Sequence, residues 1–286
     1  MKKSLLLLLS LTALAGCSSG EADENDASQA ESSNETTENV DTSSEGEASS
    51  ENSSEETSGE SELPDEPVAY EYEINPGIFT VEPINEASPE VALLTFDDAP
   101  QPPDSHAIEI ANTVKDKGAN AIFFLIGQFL EDEEAKQIVK EIYDMGFEIG
   151  NHSYSHPDFY TLTYEEQQEE ITKTNQLIED ITGEKPRFLR LPYGQFDENT
   201  LAIIEEEGMT MMNWTYGYDW EEAYMNGPAL ADIMVNTEFL GSGANLLMHD
   251  RPWTSEAIGD IIDGLREKGY EMVDPKLIAS PEREEE

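Results

Sequence analysis

Short apolar segments alternate with longer amphipathic segments from residue 91 to the end of the chain. The apolar segments have the length of buried strands, and they cover residues 91–96, 121–126, 147–150, 187–191, 209–215, 245–248 and 270–273. Strands that alternate with helices predict a parallel sheet with helices packed on it. We therefore expect an α/β protein whose roughly seven parallel strands form a barrel, closed or incomplete.

Side chains that can do chemistry lie at, or just beyond, the C-terminal ends of these strands. They are Asp97, Asp98, His152, Arg190, Asp219, Trp220 and His249. In (β/α) barrels the catalytic groups converge on this face. Residues that are far apart in the sequence can therefore share one pocket.

The histidines and the aspartate pair suggest metal-assisted hydrolysis. Three of the four histidines lie in two short motifs, His152-Ser153-Tyr154-Ser155-His156 and Leu246-Leu247-Met248-His249. One aspartate with two histidines makes a donor set for a divalent metal. A second aspartate and a third histidine remain for base and acid work. Each motif alone also fits an ordinary turn or loop.

The N-terminus has the features of a bacterial lipoprotein signal. Two lysines precede an apolar stretch, Ser4 to Leu14, that is too short to span a bilayer as a mature helix. Leu14-Ala15-Gly16-Cys17 resembles a lipobox, and Cys17 is the only cysteine. We expect residues 1–16 to be a signal peptide and Cys17 to carry lipid, anchoring the protein to the outer face of the cell membrane. The alternative is an ordinary signal peptide that ends near a cysteine.

Residues 17–66 are predicted to be a disordered acidic linker. Residues 18–66 contain 17 acidic side chains and no lysine or arginine. Such a segment cannot bury enough apolar surface to offset its ordering entropy. As a flexible coil it would span roughly 40 Å, enough to tether a domain within reach of a surface matrix. Plain solvation explains the same composition.

The remaining chain divides into three predicted parts. Apolar and polar residues alternate around Tyr72, which predicts a half-buried strand. We expect residues 67–89 to pack as a strand segment on the barrel. Residues 90–279 form the predicted barrel domain, and residues 280–286 form an acidic tail.

The part of the chain that is expected to fold is strongly acidic in its own right. Residues 67–286 hold 46 acidic and 13 basic residues, a net charge of −33. This charge disfavours nucleic acid, whose phosphates need basic groups, and electrostatic docking on anionic lipid. Salt would screen the self-repulsion, so we expect a source that lives at high salt or high pH.

Five motifs resemble those of the NodB-homology polysaccharide deacetylases, carbohydrate esterase family 4. In chain order they are Thr95-Phe96-Asp97-Asp98, His152-Ser153-Tyr154-Ser155-His156, Arg190-Leu191-Pro192-Tyr193-Gly194, Asp219-Trp220 and Leu246-Leu247-Met248-His249. The resemblance covers about residues 90–278. It implies a distorted (β/α) barrel, usually of seven or eight strands, that acts on N- or O-acetyl groups of glycans.

The resemblance implies a role for each motif. It makes Asp98, His152 and His156 the ligands of a metal, for which Zn²⁺ is most suitable and Co²⁺ or Ni²⁺ possible. It makes Asp97 the general base and Arg190 the residue that orients this base.

The resemblance also implies residues that bind the substrate. The backbone N–H of Tyr193 would help to hold the oxyanion, and His249 would be the general acid. Leu246 would lie beside the acetyl methyl group, and Trp220 would wall the pocket.

The sequence departs from the family pattern at two places. Ala99-Pro100 stands where the family usually has Gly-Pro. Tyr216 stands where the fourth motif usually has an aspartate that tunes the acid histidine. We therefore expect His249 to have a lower pKa or another partner, with an effect on the reaction rate.

The predicted function is a metal-dependent N-deacetylase that releases acetate from N-acetylglucosamine-containing glycan, with peptidoglycan as the favoured substrate. Exopolysaccharide and chitooligosaccharide remain open as substrates, as does O-acetyl esterase activity. A wall-binding lipoprotein with weak or no catalysis and an extracellular solute-binding lipoprotein are the alternatives. The expected partners are the glycan and, through Cys17, the membrane; we expect no nucleic acid and a monomer.

Overall fold

The computed structural model describes residues 69–101 and 103–281. The predicted signal peptide, the predicted lipidation site Cys17, the predicted acidic linker and most of the C-terminal tail lie outside the described residues. Within the described part of the chain, no helix has the length and apolar character needed to cross a membrane.

An antiparallel hairpin begins the described chain. Strands β1 (Tyr72–Ile74) and β2 (Val81–Pro83) pair with each other. Tyr72 and Ile74 are buried and Glu73 is exposed, which is the alternation expected for a half-buried strand. The Ala279 N–H donates to the Tyr72 carbonyl at 2.7 Å, so the hairpin is joined to the end of the described chain.

The central sheet is parallel throughout. Its strands are β3 (Val91–Ala99), β4 (Ala121–Leu125), β5 (Glu148–Asn151), β6 (Phe188–Leu189), β7 (Thr210–Met211), β8 (Tyr216–Gly217), β9 (Ala244–His249) and β10 (Glu271–Met272). Seven of these described strands follow one path in the order β7-β6-β5-β4-β3-β9-β8, and β10 pairs with the first residues of β3. The path curls into a half-barrel, which confirms the predicted distorted (β/α) barrel.

Helices follow the strands and cover the outside of the sheet. They are α1 (Ala107–Asp116), α2 (Glu133–Asp144), α3 (Tyr164–Thr182), α4 (Glu198–Glu206), α5 (Gly227–Asn236) and α6 (Pro252–Glu267). Helix α3 begins with a capping box, in which Thr163 and Glu166 satisfy each other's backbone N–H groups. Apolar residues of the helices, such as Ile110 and Ile258, pack with Phe96 and Phe123 of the sheet in the main core.

The predicted strand 209–215 is divided in the structure. Only Thr210–Met211 pairs with β6, and the chain then crosses to the opposite end of the sheet path, where Tyr216–Gly217 pairs with β9. The Met212 N–H still donates to Leu189, whereas the Thr215 N–H donates to Asn245. Hydrophobic periodicity cannot detect this division, because all of these residues remain buried or half-buried while their hydrogen-bonding partner changes.

Candidate active site

The predicted site residues come together at the C-terminal ends of the strands. Asp97 near the end of β3 lies opposite His249 at the end of β9 in the parallel register. His152 follows β5, and Arg190 follows β6. The open end of the half-barrel therefore carries two aspartates, three histidines and a buried arginine.

Asp98, His152 and His156 form a cluster that fits a divalent metal. One ligand atom from each of them lies within 4.8 Å of the others. Asp98 Oδ1 lies 3.7 Å from His152 Nε2 and 4.0 Å from His156 Nε2. This oxygen is buried and has no hydrogen-bond partner among the described residues. A buried carboxylate oxygen without a donor is costly, and a cation between these three groups would remove that cost.

The orientation of the imidazoles supports the same interpretation. His152 Nδ1 lies 2.7 Å from the Arg190 carbonyl oxygen, so Nδ1 carries the proton and Nε2 presents its lone pair to Asp98. Burial and the neighbouring His152 lower the pKa of His156. Neutral imidazoles are the form that binds metals. The donor set of two imidazoles and one carboxylate thus fits a divalent ion.

The backbone is strained where these groups lie. Asp98, Ser153, His156 and Tyr193 have φ values of 63°, 64°, 56° and 57°. Each left-handed residue other than glycine costs on the order of 1 kcal/mol, and such residues cluster at functional sites. Four of the six described non-glycine residues with a positive φ therefore lie in the aspartate pair and in the two motifs that would hold metal and substrate.

Arg190 is fully buried in the barrel and uses all of its donors. Its Nη1 donates to Asp97 Oδ1 at 2.8 Å, while Asp97 Oδ2 lies 3.6 Å from His152 Nε2. The remaining hydrogen bonds of the guanidinium group go to Thr95 Oγ1, the Met212 and Asn213 carbonyls and Asn245 Oδ1. This network fixes one oxygen of Asp97 and leaves the other directed towards the histidine cluster.

His249 is paired with Asp219. His249 Nδ1 lies 2.7 Å from Asp219 Oδ1, and the His249 N–H donates to Oδ2 at 2.6 Å. Thr254 Oγ1 also donates to this buried carboxylate. Burial lowers the pKa of His249, but the hydrogen bond and the charge of Asp219 outweigh burial, and the net pKa is raised.

The prediction for Tyr216 is thereby resolved in favour of another partner for His249. Tyr216 is buried in the main core, and its hydroxyl donates to the Met234 carbonyl at 2.8 Å. Asp219, within the Asp-Trp pair, holds the histidine instead. The first alternative, a lowered pKa, does not apply, because the net pKa of His249 is raised.

Two aromatic side chains flank the histidines. The Trp220 ring meets His249 edge to face at 5.6 Å, and the Tyr193 ring meets His156 at 4.8 Å. Both are partly exposed, at 45% and 66%. A Cβ at Gly217 would lie 2.8 Å from the Trp220 ring and 2.3 Å from the Leu247 carbonyl oxygen, so the glycine permits this close approach.

Leu246 does not lie on the face of the site. Its register partner in β3 is Leu94, and both are fully buried in the core between sheet and helices. Leu247 pairs with Thr95, whose hydroxyl contacts Arg190 inside the barrel. The prediction that Leu246 faces the site is therefore wrong; Leu247 faces it instead, because alternate residues of a strand face opposite sides.

Arg251 is a site residue that the sequence reasoning missed. Its Nη2 lies 3.4 Å from Asp98 Oδ2, and its Nη1 donates to Gln101 Oε1 at 2.5 Å. Arg190 thus forms an ion pair with Asp97, and Arg251 forms one with Asp98. Arg251 lies only two residues after His249 in the sequence, and this proximity could have indicated that it belongs to the site.

Comparison with known proteins assigns the family. The Polysaccharide deacetylase profile matches residues 84–212, and a prokaryotic membrane lipoprotein lipid attachment site matches residues 1–18. A peptidoglycan-N-acetylglucosamine deacetylase of Bacillus cereus is 32% identical over 197 residues, which are 67% of this chain and 68% of that protein. The chain therefore belongs to the polysaccharide deacetylase family.

Two further relatives show the range of the family. A peptidoglycan-N-acetylmuramic acid deacetylase of Bacillus subtilis is 32% identical across 64% of this chain and 38% of its own. The crystal structure of a carbohydrate esterase family 4 pseudoenzyme from Bacillus anthracis is 31% identical, with a TM-score of 0.57 over 63% of this chain and 62% of that one. The chain thus covers less than two thirds of these two proteins.

Proposed function

We propose that the protein is a metal-dependent hydrolase that removes N-acetyl groups from the N-acetylglucosamine residues of peptidoglycan and releases acetate. The observation that carries this proposal is the arrangement of the two aspartates. Asp98 faces His152 and His156 with an unpartnered oxygen, whereas Asp97 is held by Arg190 beside the same cluster.

The proposed metal ligands are Asp98, His152 and His156. Zn²⁺ suits this donor set, and Co²⁺ or Ni²⁺ would also fit. When bound, such an ion supplies Lewis acidity towards an amide carbonyl group. Arg251 faces the second oxygen of Asp98 and would keep the carboxylate turned towards the histidines.

Asp97 is the proposed general base. Its Oδ1 accepts the hydrogen bond of Arg190, so Oδ2 is the oxygen that can take a proton from the attacking water. The ion pair with Arg190 fixes the orientation of this carboxylate beside the histidine cluster. The backbone N–H of Tyr193 is the proposed donor to the oxyanion.

His249 is the proposed general acid. Its Nδ1 is held by Asp219, so Nε2 is the atom that would protonate the departing amine. The raised pKa keeps more of the imidazole protonated at neutral pH. Trp220 and Leu247 would form the wall around the acetyl methyl group.

The proposed location of the protein supports peptidoglycan as the substrate. The lipid attachment motif at Cys17 would anchor the chain to the outer face of the cell membrane, and the linker 17–66 would place the domain 90–279 beside the wall. The proposed partners are the glycan and, through the lipid, the membrane. A monomer is sufficient, because all proposed site residues come from one chain.

A second candidate function is a wall-binding protein with weak or no catalysis. The pseudoenzyme from Bacillus anthracis motivates it. Retention of both aspartates, the three histidines and Arg190 in one cluster argues against it, since each keeps the contact that its proposed role requires.

Acetate release from a panel of substrates tests the proposal. The purified full-length protein, loaded with Zn²⁺, would receive N-acetylated peptidoglycan, chitooligosaccharide and acetylated xylan. We expect most acetate from peptidoglycan, and chemical analysis of the product sugars would separate glucosamine from muramic acid. Acetate from xylan alone would replace the proposal with an O-acetyl esterase, and none from any substrate would favour the wall-binding protein.

A further inference from the structure

The loop between the two histidine ligands has an unfavourable backbone conformation. Ser153 and His156 both have positive φ values, 64° and 56°. The loop is held at its start by Asn151, whose Oδ1 accepts the Ser153 N–H at 2.7 Å, and the His156 N–H donates to Ser153 Oγ at 3.1 Å. These contacts leave the middle of the loop to be held from outside.

The middle of this loop is held from two sides. The Gly127 and Gln128 N–H groups donate to the Ser153 and Tyr154 carbonyls, and the Glu170 carboxylate on α3 accepts from the N–H groups of the loop. Glu170 Oε2 accepts the Tyr154 N–H at 2.9 Å and the Ser155 N–H at 2.7 Å. Its Oε1 accepts the Ser155 hydroxyl at 2.7 Å. Hydrogen bonds to a charged acceptor contribute more than neutral ones, so three of them offset much of the strain at Ser153 and His156.

The packing of α3 does not depend on this carboxylate. The helix is buried through Gln167, Ile171, Thr174, Asn175 and Ile178, while Glu170 is only partly buried. Its three side-chain contacts go to the loop. The carboxylate therefore acts between the helix and the histidine motif rather than within the core.

We propose that Glu170 is a positioning residue for the metal site, one that holds His156 in place relative to His152 before an ion binds. This inference rests on the proposed function in one respect, the assignment of Asp98, His152 and His156 as metal ligands. It does not depend on the substrate. Three residues, which Glu170 restrains, separate the two histidines. The conformational freedom of these residues therefore determines the fraction of time in which both imidazoles face Asp98. Substituting a residue that holds metal ligands in position typically weakens metal affinity by about 10–100-fold.

Metal affinity of the full-length protein tests this role. The variants are Glu170→Ala, which removes all three contacts, and Glu170→Gln, which keeps the size and loses the charge. Glu169→Ala is the matched control, because Glu169 is the exposed neighbour on the same helix. The dissociation constant of Zn²⁺ would be measured by competition with a chromogenic chelator, and the Co²⁺ absorption spectrum would report the ligand geometry.

We expect Glu170→Ala to raise the Zn²⁺ dissociation constant about 10–100-fold and to change the Co²⁺ spectrum. Glu170→Gln should have a smaller effect in the same direction, and Glu169→Ala should match the wild type. A lower melting temperature of the metal-free protein with an unchanged dissociation constant would overturn the proposal, because Glu170 would then be merely structural. Should Glu170→Ala not fold, Glu170→Gln decides alone, and wild-type affinity in that variant overturns the proposal.

The outcomes separate this inference from the proposed function. Weakened metal binding in the Glu170 variants, together with no acetate release by the wild type, would support the positioning role and reject the deacetylase. Absence of metal binding by the wild type itself would overturn both.

Discussion

Asp97 and Arg190 are 93 residues apart in the sequence, and their side chains meet at 2.8 Å inside the barrel. Both are buried, and the guanidinium group also lies 4.4 Å above the Phe124 ring. An arginine in this environment is tolerated because each donor has an acceptor. The pair links the strand that carries both aspartates to the loop that ends in Tyr193.

Arg190→Met is expected to destabilise the fold and abolish turnover. Removing one partner of a buried ion pair costs about 3–5 kcal/mol, since the other charge is left uncompensated. Urea unfolding would measure the loss. Lys136→Met is the control, because the pair of Lys136 with Glu133 is exposed and should contribute little. A difference below about 1 kcal/mol between the two variants would contradict the role assigned to Arg190.

Asp219→Asn is expected to lower the pKa of His249. The hydrogen bond and charge of Asp219 raise this pKa against the effect of burial. The contribution of the pair to stability is therefore complete below the unfolded pKa of about 6.5 and is lost as the pH rises through the folded value. An NMR titration of the His249 ring in the metal-free protein, with the exposed Asp232→Asn as control, would measure the shift.

The pH dependence of the deacetylation rate should shift in the same direction as the pKa of His249, to lower pH in Asp219→Asn. A general acid must be protonated, so the alkaline limb of the pH–rate profile reports its pKa. In Asp219→Asn this limb should move to lower pH. A limb at the wild-type position would show that another group is the acid.

Leu246→Ala and Leu247→Ala should have different effects. Leu246 is fully buried between the sheet and the helices, so its truncation should cost about 2–5 kcal/mol of stability with little change in KM. Leu247 is on the face of Thr95 and His249, so its truncation should raise KM for acetylated glycan. Steady-state kinetics and urea unfolding of both variants would compare them, and a KM effect confined to Leu246→Ala would restore the original assignment.

Added salt should stabilise the protein. The net charge of −33 on residues 67–286 causes self-repulsion, which salt screens as the Debye length falls from about 30 Å at 0.01 M to about 3 Å at 1 M. Calorimetry in KCl should show a rising melting temperature over this range. A constant or falling melting temperature would reject the inference of a high-salt source.

The sequence predicted the barrel and the grouping of the site because both follow from local patterns. Apolar segments alternating with amphipathic ones define parallel strands and helices, and residues after parallel strands share one edge. The catalytic and metal-binding roles of those residues remain predictions. The positions of the described side chains agree with them, apart from Leu246.

Other features depend on contacts that a single sequence does not reveal. Strand β9 is buried on both faces, so no polar alternation indicates whether Leu246 or Leu247 faces the site. The division of the segment 209–215 arises from a change of partner strand. The partner of His249 and the support of the histidine loop by Glu170 are long-range hydrogen bonds, which spacing cannot predict.

The most direct test of the account is acetate release and metal content measured together for the wild type and Asp97→Asn. The full-length proteins would be loaded with Zn²⁺ in high salt and given N-acetylated peptidoglycan. We predict acetate from the wild type, none above background from Asp97→Asn, and about one metal ion in each, as the three-ligand site implies. Acetate release at the wild-type rate by Asp97→Asn would contradict the proposed base, and loss of metal in that variant would show that the two aspartates have exchanged roles.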